Sequence, residues 1–107
     1  MVTSQFKHLF SPFQLRNLTL PNRIVSTAHA TALADNGKPG PRLNAYHAEK
    51  ARGGCGLVMV YGAAAVHPTS PAADWGGVEL FDDSVIPHLK EAAAAVHKYG
   101  SKIISQI

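Results

Sequence analysis

Apolar and polar positions alternate through Phe13-Gln-Leu-Arg-Asn-Leu-Thr-Leu20 on both sides of Arg16-Asn17, and a period of two broken by a two-residue turn predicts a β-hairpin. Pro21 and Asn22 punctuate it. Ile24-Val25 then opens a short β-branched strand that runs out into Ser26-Thr-Ala-His29. Ala34 to Pro41 holds nearly every turn-forming residue type and predicts an exposed loop. Pro41 suits a helix start, and Arg42 to Arg52 predicts a helix with Leu43, Tyr46 and Ala51 available for one face, stopped by Gly53-Gly54. Gly56-Leu-Val-Met-Val-Tyr61 is continuously apolar and short, as a strand buried on both faces should be.

The stretch from Gly62 to Asp83 is rich in Gly, Pro, Ser and Asp and predicts a long loop. Loops beyond about 12 residues inside a compact domain are usually functional or mobile, which makes this one a candidate lid or binding loop. Ser84 is placed to cap the next helix, Pro87 falls in its first turn, and Val85, Leu89, Ala92 and Val96 recur at helical spacing until Tyr99-Gly100. Lys102-Ile-Ile-Ser-Gln-Ile107 predicts a last strand.

The order hairpin, strand, helix, strand, helix, strand is a βαβαβ pattern and predicts an α/β fold with a parallel sheet. Two architectures share it: the first three strands of a (β/α)₈ TIM barrel and half of a doubly wound sheet. The 107 residues make one domain-sized unit, 1–107, well short of the roughly 250 that close a barrel. After the first strand, where a dinucleotide fold carries GxGxxG, this sequence has Ser26-Thr-Ala-His-Ala-Thr31, and it has no P-loop lysine motif.

Composition narrows the partners. At 46% hydrophobic and 16% charged the chain can bury a core. Its +3 net charge comes from scattered residues without a basic stripe, so nucleic acid is not indicated. No apolar run approaches the ~18 residues of a membrane span, and no basic-then-apolar leader opens the chain, which predicts a cytoplasmic protein without membrane contact. Cys55 has no second thiol and reads as a packed residue in a reducing compartment. The six histidines lack metal-ligand spacing, no metal site is predicted, and most are expected on surfaces or helix faces. Asp82-Asp83 reads as helix N-terminal charge, not as a catalytic pair. Trp75 suits either covering a ligand or pinning its loop.

In a parallel barrel, chemistry collects at the C-terminal strand ends. Here those ends are Thr27 to Ala30, Tyr61 to Ala64, and Gln106. Small residues let a flat ring approach the backbone, and a glutamine amide offers both a donor and an acceptor to a pyrimidine-like edge. His29 stands apart from the other histidines because it lies at such an end.

Leu9-Phe-Ser-Pro12, Leu18-Thr-Leu-Pro-Asn-Arg-Ile-Val25, Tyr46, Ala51-Arg-Gly-Gly54 with Gly56-Leu57, and Ala95-Val-His-Lys-Tyr-Gly100 with Gln106 together resemble the N-terminal part of the Old Yellow Enzyme family. Ile24–Thr31 and Asp82–His88 are most similar to its iron–sulfur flavoprotein branch, near the amine and N-methylproline demethylases and dienoyl-CoA reductases. The resemblance implies an FMN-bearing barrel whose bottom is closed by the hairpin and which passes hydride between a small-molecule substrate, an amine N-methyl group or an activated alkene, and the flavin. It implies that Thr27, Ala28 and His29 lie along the flavin, that Gly62 or Ala63 contacts it from the second strand, and that Gln106 binds its pyrimidine edge. In the trimethylamine dehydrogenase branch a cysteine after the matching histidine bonds to the flavin; Ala30 stands there, which implies non-covalent FMN. The family's catalytic His/Asn pair and tyrosine, its FMN-phosphate loops and its cluster cysteines fall past Ile107, so catalytic residues are unknown, and any iron–sulfur cluster or NAD(P)H would bind through regions outside the chain. A small non-enzymatic α/β binding or interaction module, or an inactive truncated product, is the alternative.

Overall fold

The computed structural model describes residues 5–73 and 75–107. The hairpin forms from β1 (Phe13–Leu15) and β2 (Leu18–Leu20), with Phe13 opposite Leu20 and Leu15 opposite Leu18. The side chains of the facing pair Gln14 and Thr19 are joined, Thr19 Oγ1 donating to Gln14 Oε1 at 2.6 Å. Arg16 takes the left-handed conformation that the two-residue turn requires.

β3 (Val25–Ser26), β4 (Leu57–Val60) and β5 (Lys102–Ser105) form a three-stranded parallel sheet in the order β3-β4-β5, with Val25 beside Leu57 and Leu57 beside Lys102. α1 (Pro41–Arg52) and α2 (Ile86–His97) are the crossovers, and they pack on each other and on one face of the sheet. Pro41 at the first turn of α1 and Gly53 at its end sit where the sequence predicts, and Lys50 and Arg52 complement the dipole in the last turn. The helix-facing core gathers Leu43, Ala51, Val58, Val60, Tyr61, Ala64, Val78 and Val96, with Cys55, Leu89 and Ile103 packed against it. Cys55 is a free thiol in that layer, as expected of a packed residue.

Asn22 stitches the lower ends of the strands. Its Nδ2 donates to the Gly54 carbonyl at 2.7 Å and its Oδ1 accepts from the Ile24 amide at 3.0 Å. Arg23 reaches back to Ser11 and stacks over the Phe13 ring at 5.1 Å, fixing the hairpin to the base of β3.

Several expectations are corrected. β4 is buried on one face only: Val58 and Val60 are sealed by the helices, while Leu57 and Met59 on the other face are half-buried. β5 ends at Ser105, so Gln106 and Ile107 are not strand, although the Gln106 amide still donates to the Val60 carbonyl. Ser84 does not cap α2. Asp82 is the capping residue, its carboxylate accepting from the Ser84 amide at 2.8 Å to start a 3-10 turn over Asp83–Val85 that leads into α2. That bond with Ser84 also holds the Asp82 carboxyl below its ordinary range.

The segment 62–83 is not a free lid either. Ala65 and Glu79 form a parallel bridge, the Ala65 amide donates to the Val78 carbonyl and its carbonyl accepts from the Leu80 amide, and the Glu79 amide donates to the Gly37 carbonyl. Ala64, Ala65, Ala73 and Val78 are buried, so the base of the loop belongs to the core, while Val66–Thr69, Pro71, Trp75 and Gly76 are exposed. Among the described residues no helix is long and apolar enough to cross a membrane.

Candidate functional site

The sheet's C-terminal edge carries the residues that sequence reasoning singled out. β4 leaves its strand through a double left-handed kink, with φ of 76° at Tyr61 and 58° at Gly62. A bulky residue pays about 1–2 kcal/mol for that conformation, so surrounding structure must hold it. The Tyr61 ring does so by burial: the residue is 5% exposed within the core, and burial raises its hydroxyl to about 12, leaving a neutral phenol at any physiological pH.

The kink brings Gly62 against the end of β3. A β-carbon on Gly62 would lie 2.6 Å from the Ala30 amide nitrogen and 2.9 Å from the His29 carbonyl carbon, so only glycine permits this approach of backbone to backbone. From the other side, Gln106 Nε2 donates to the Gly62 carbonyl at 2.5 Å. A backbone carbonyl can only accept, so the amide nitrogen must face it, and the orientation of the Gln106 amide is thereby settled. Its Oε1 accepts no hydrogen bond among the described residues. The three strand ends are thus tied into one rim: His29–Ala30, Gly62 and Gln106.

The remaining members fit less tightly. Thr27 and His29 are exposed and Ala28 is half-buried, along a stretch with no regular backbone pairing. Ala63 continues the kink, its amide donating to the Tyr61 carbonyl, and its own carbonyl lies beside Gly77, as does the edge of the Trp75 indole. Trp75 is 38% exposed, so it rests on the rim's neighbour segment without being enclosed. Two concavities lie elsewhere: one of about 360 Å³ between the 35–41 loop and α2, and an apolar one of about 340 Å³ under the hairpin beside Val25 and Leu57. The rim is therefore an open shelf in this chain. Among the described residues no three His, Cys, Asp or Glu side chains gather to hold a metal ion.

Behind the shelf sits a residue that sequence reasoning missed. His47 was expected, with most histidines, on a surface or helix face, but it is 1% exposed. Tyr46, expected on the buried face of α1, is only half-buried, and His47 takes that place between Leu43 and Ala51. The i, i+4, i+8 spacing of Leu43, His47 and Ala51 was the available signal. The His47 ring is edge-on to Tyr46 at 5.2 Å and to Tyr61 at 5.9 Å. Neither ring nitrogen has a hydrogen-bond partner among the described residues, and the same holds for Asn44 Oδ1 one turn earlier. Burial, and secondarily the Lys50 ammonium, pushes the imidazole down to about 4. Lys50 itself lies 4.4 Å from the Tyr46 ring centroid and donates to Ser26 Oγ at 2.9 Å, joining α1 to the strand that becomes Thr27–His29.

In parallel α/β folds, ligand sites collect at the C-terminal strand ends, where the small and polar residues of this unit meet. The chain is a member of the NADH:flavin oxidoreductase / NADH oxidase family, whose model matches residues 8–107. It is 48% identical over 103 residues to N,N-dimethylglycine/sarcosine dehydrogenase of Chromohalobacter salexigens, covering 95% of this chain and 15% of that protein. It is 36% identical over 107 residues to the multifunctional alkene reductase/demethylase OYE of Caballeronia cordobensis, covering all of this chain and 16% of that protein. Among solved structures it superposes on 6-hydroxypseudooxynicotine amine oxidase of Pseudomonas geniculata N1 with a TM-score of 0.84 at 27% identity, covering 96% of this chain and 15% of the other. The chain therefore spans about 15% of the length of these relatives. The Old Yellow Enzyme resemblance is borne out, and the reading as an unrelated small module loses its support.

Proposed function

We propose that this chain is the opening segment of an FMN-dependent oxidoreductase of the (β/α)₈-barrel type, and that Thr27, Ala28, His29, Gly62, Ala63 and Gln106 form one edge of its flavin site. The observation that carries the reading is the bond from Gln106 to the Gly62 carbonyl, because it joins two of the proposed contact residues across adjacent strands and leaves one amide acceptor free. The donor set suits the group. The free Gln106 Oε1 can accept from an imide N–H, and Ala28, Gly62 and Ala63 carry no bulk that would hold a flat ring off the backbone. Bound flavin would supply reversible hydride acceptance; the chain's own residues orient it. Ala30 offers no nucleophile, so the flavin is held without a covalent bond.

The relatives favour an N-methylated amine as the substrate class, with an activated alkene as the second choice. A reductant such as NAD(P)H and any iron–sulfur cluster would be bound by regions outside this chain, in a cytoplasmic protein acting on small molecules. The test is to express the full-length protein and record flavin absorbance before and after denaturation and filtration. Yellow chromophore in the filtrate is expected; colour retained on the denatured chain would overturn the non-covalent assignment. Replacing Gln106 with alanine should weaken flavin retention about tenfold, the worth of one well-made hydrogen bond. Undiminished retention would remove Gln106 from the site.

A further inference from the structure

His47 is a buried polar side chain with neither ring nitrogen partnered among the described residues. A fully buried imidazole normally has a partner for at least one nitrogen. His47 reaches the rim through Tyr61. Its ring lies edge-on against Tyr61, Tyr61 begins the left-handed kink, and the next residue, Gly62, presents the carbonyl to which Gln106 is tied.

We propose that His47 is a positioning residue for the flavin edge: as a neutral ring it packs the Tyr61–Gly62 kink in place, and acid that charges it releases the kink and, with it, the flavin. This rests on the flavin reading above. A charge on the ring would have no compensation. On its own helix it is faced by Tyr46 and by the Lys50 ammonium, which repels a second positive charge; from β4 it is faced by the neutral phenol of Tyr61. Among the described residues, burial and Lys50 are what lower its proton affinity, and no carboxylate offsets them. A charged imidazole in that position must either leave the core or draw water into it, and the Tyr61 ring is what it would push against. Burial already holds the ring's proton affinity far below that of a free histidine, which is the direction such an arrangement requires.

The experiment uses the full-length holoenzyme and follows free-flavin fluorescence as the pH is stepped down from 7 to 4, with far-UV circular dichroism on the same samples. Wild type should begin to shed flavin below about pH 6.5, ahead of the loss of helical signal. His47→Phe, which keeps a flat apolar ring and cannot be charged, should hold several-fold more flavin at pH 5. If His47→Phe does not fold, His47→Gln, uncharged at every pH, takes its place with the same expectation. Superimposable acid-release curves for wild type and the folded variant would overturn the proposal. Gln106→Ala at pH 7 separates the two levels. If it retains flavin fully, the rim reading itself has failed; if it sheds flavin while the His47 variant follows wild type, only the role of His47 has.

Discussion

The backbone-to-backbone approach at Gly62 yields a prediction with an internal control. Gly62 and Gly100 both have positive φ, 58° and 80°, so an alanine at either pays the left-handed penalty of about 1–2 kcal/mol. They differ in their surroundings. Around Gly100 nothing would lie within 4 Å of a new β-carbon, whereas at Gly62 it would meet three backbone atoms, the Ala30 nitrogen at 2.6 Å, the His29 carbonyl carbon at 2.9 Å and the Ala30 Cα at 3.0 Å. Backbone cannot swing aside as a flexible side chain can, so the β3 and β4 ends must separate by several tenths of an ångström. Overpacking of that kind costs a further 1–3 kcal/mol or so. Gly62→Ala should therefore lose about 2–5 kcal/mol in urea unfolding of the full-length protein, against about 1–2 kcal/mol for Gly100→Ala. The same separation moves the carbonyl that Gln106 holds, so Gly62→Ala should also bind flavin at least tenfold more weakly, while Gly100→Ala, at the far end of α2, should bind it normally. Equal stability losses in the two variants would refute the close approach. Equal flavin affinities would refute the link between the kink and the rim.

Three further outcomes follow from buried groups. His47 is pulled from 6.5 to about 4 on folding, so the unfolded chain takes up its proton first as the pH falls. Its stabilising contribution is complete above about pH 6.5 and declines down to about pH 4, reaching a loss on the order of 2 kcal/mol by pH 5; urea midpoints at pH 7 and 5 should show this in wild type and not in His47→Phe. Ser101 is 2% exposed and its hydroxyl donates to the Cys55 carbonyl, joining the start of β5 to the start of β4. Ser101→Ala strands that carbonyl and should cost about 1–3 kcal/mol, with no effect on flavin affinity. Val96 is fully buried where α2 meets the sheet, and Val96→Ala should lower stability by about 2 kcal/mol through lost burial and the void left behind, read as a drop in the thermal midpoint.

The elements that were legible in the sequence are those written in local chemistry. Alternation around Arg16-Asn17 specified the hairpin, Pro41 and Gly53 bracketed α1, and the apolar run at Leu57–Val60 could only be an inner strand. Where two residues offered the same local chemistry, the sequence did not choose between them. Asp82 and Ser84 are both good capping residues, and the choice of Asp82 follows from the 3-10 turn over Asp83–Val85, which moves the start of the helix-like backbone two residues earlier. The half-burial of β4 was invisible for a different reason: Leu57 and Val58 are equally apolar, and which of them is sealed depends on which face the helices cover.

The rim shows where local reading stops. Each of its residue types was visible in the sequence, but their connection was not, because the partners are far apart in the chain: Gln106 meets Gly62 across 44 positions, and Lys50 meets Ser26 across 24. The Tyr61 kink has no sequence signature at all. A tyrosine in the left-handed region is locally unfavourable, so nothing in its own neighbourhood predicts it. It persists because the ring is packed in the core beside His47 and because the glycine after it can lie against Ala30. His47 was overlooked for a related reason: its polarity argued for solvent, while its position on the Leu43 and Ala51 stripe argued for the core. Where polarity and periodicity disagree on a buried face, the residue is held there by the fold at a cost in free energy, and such a cost marks a residue to test for function before one to explain by packing.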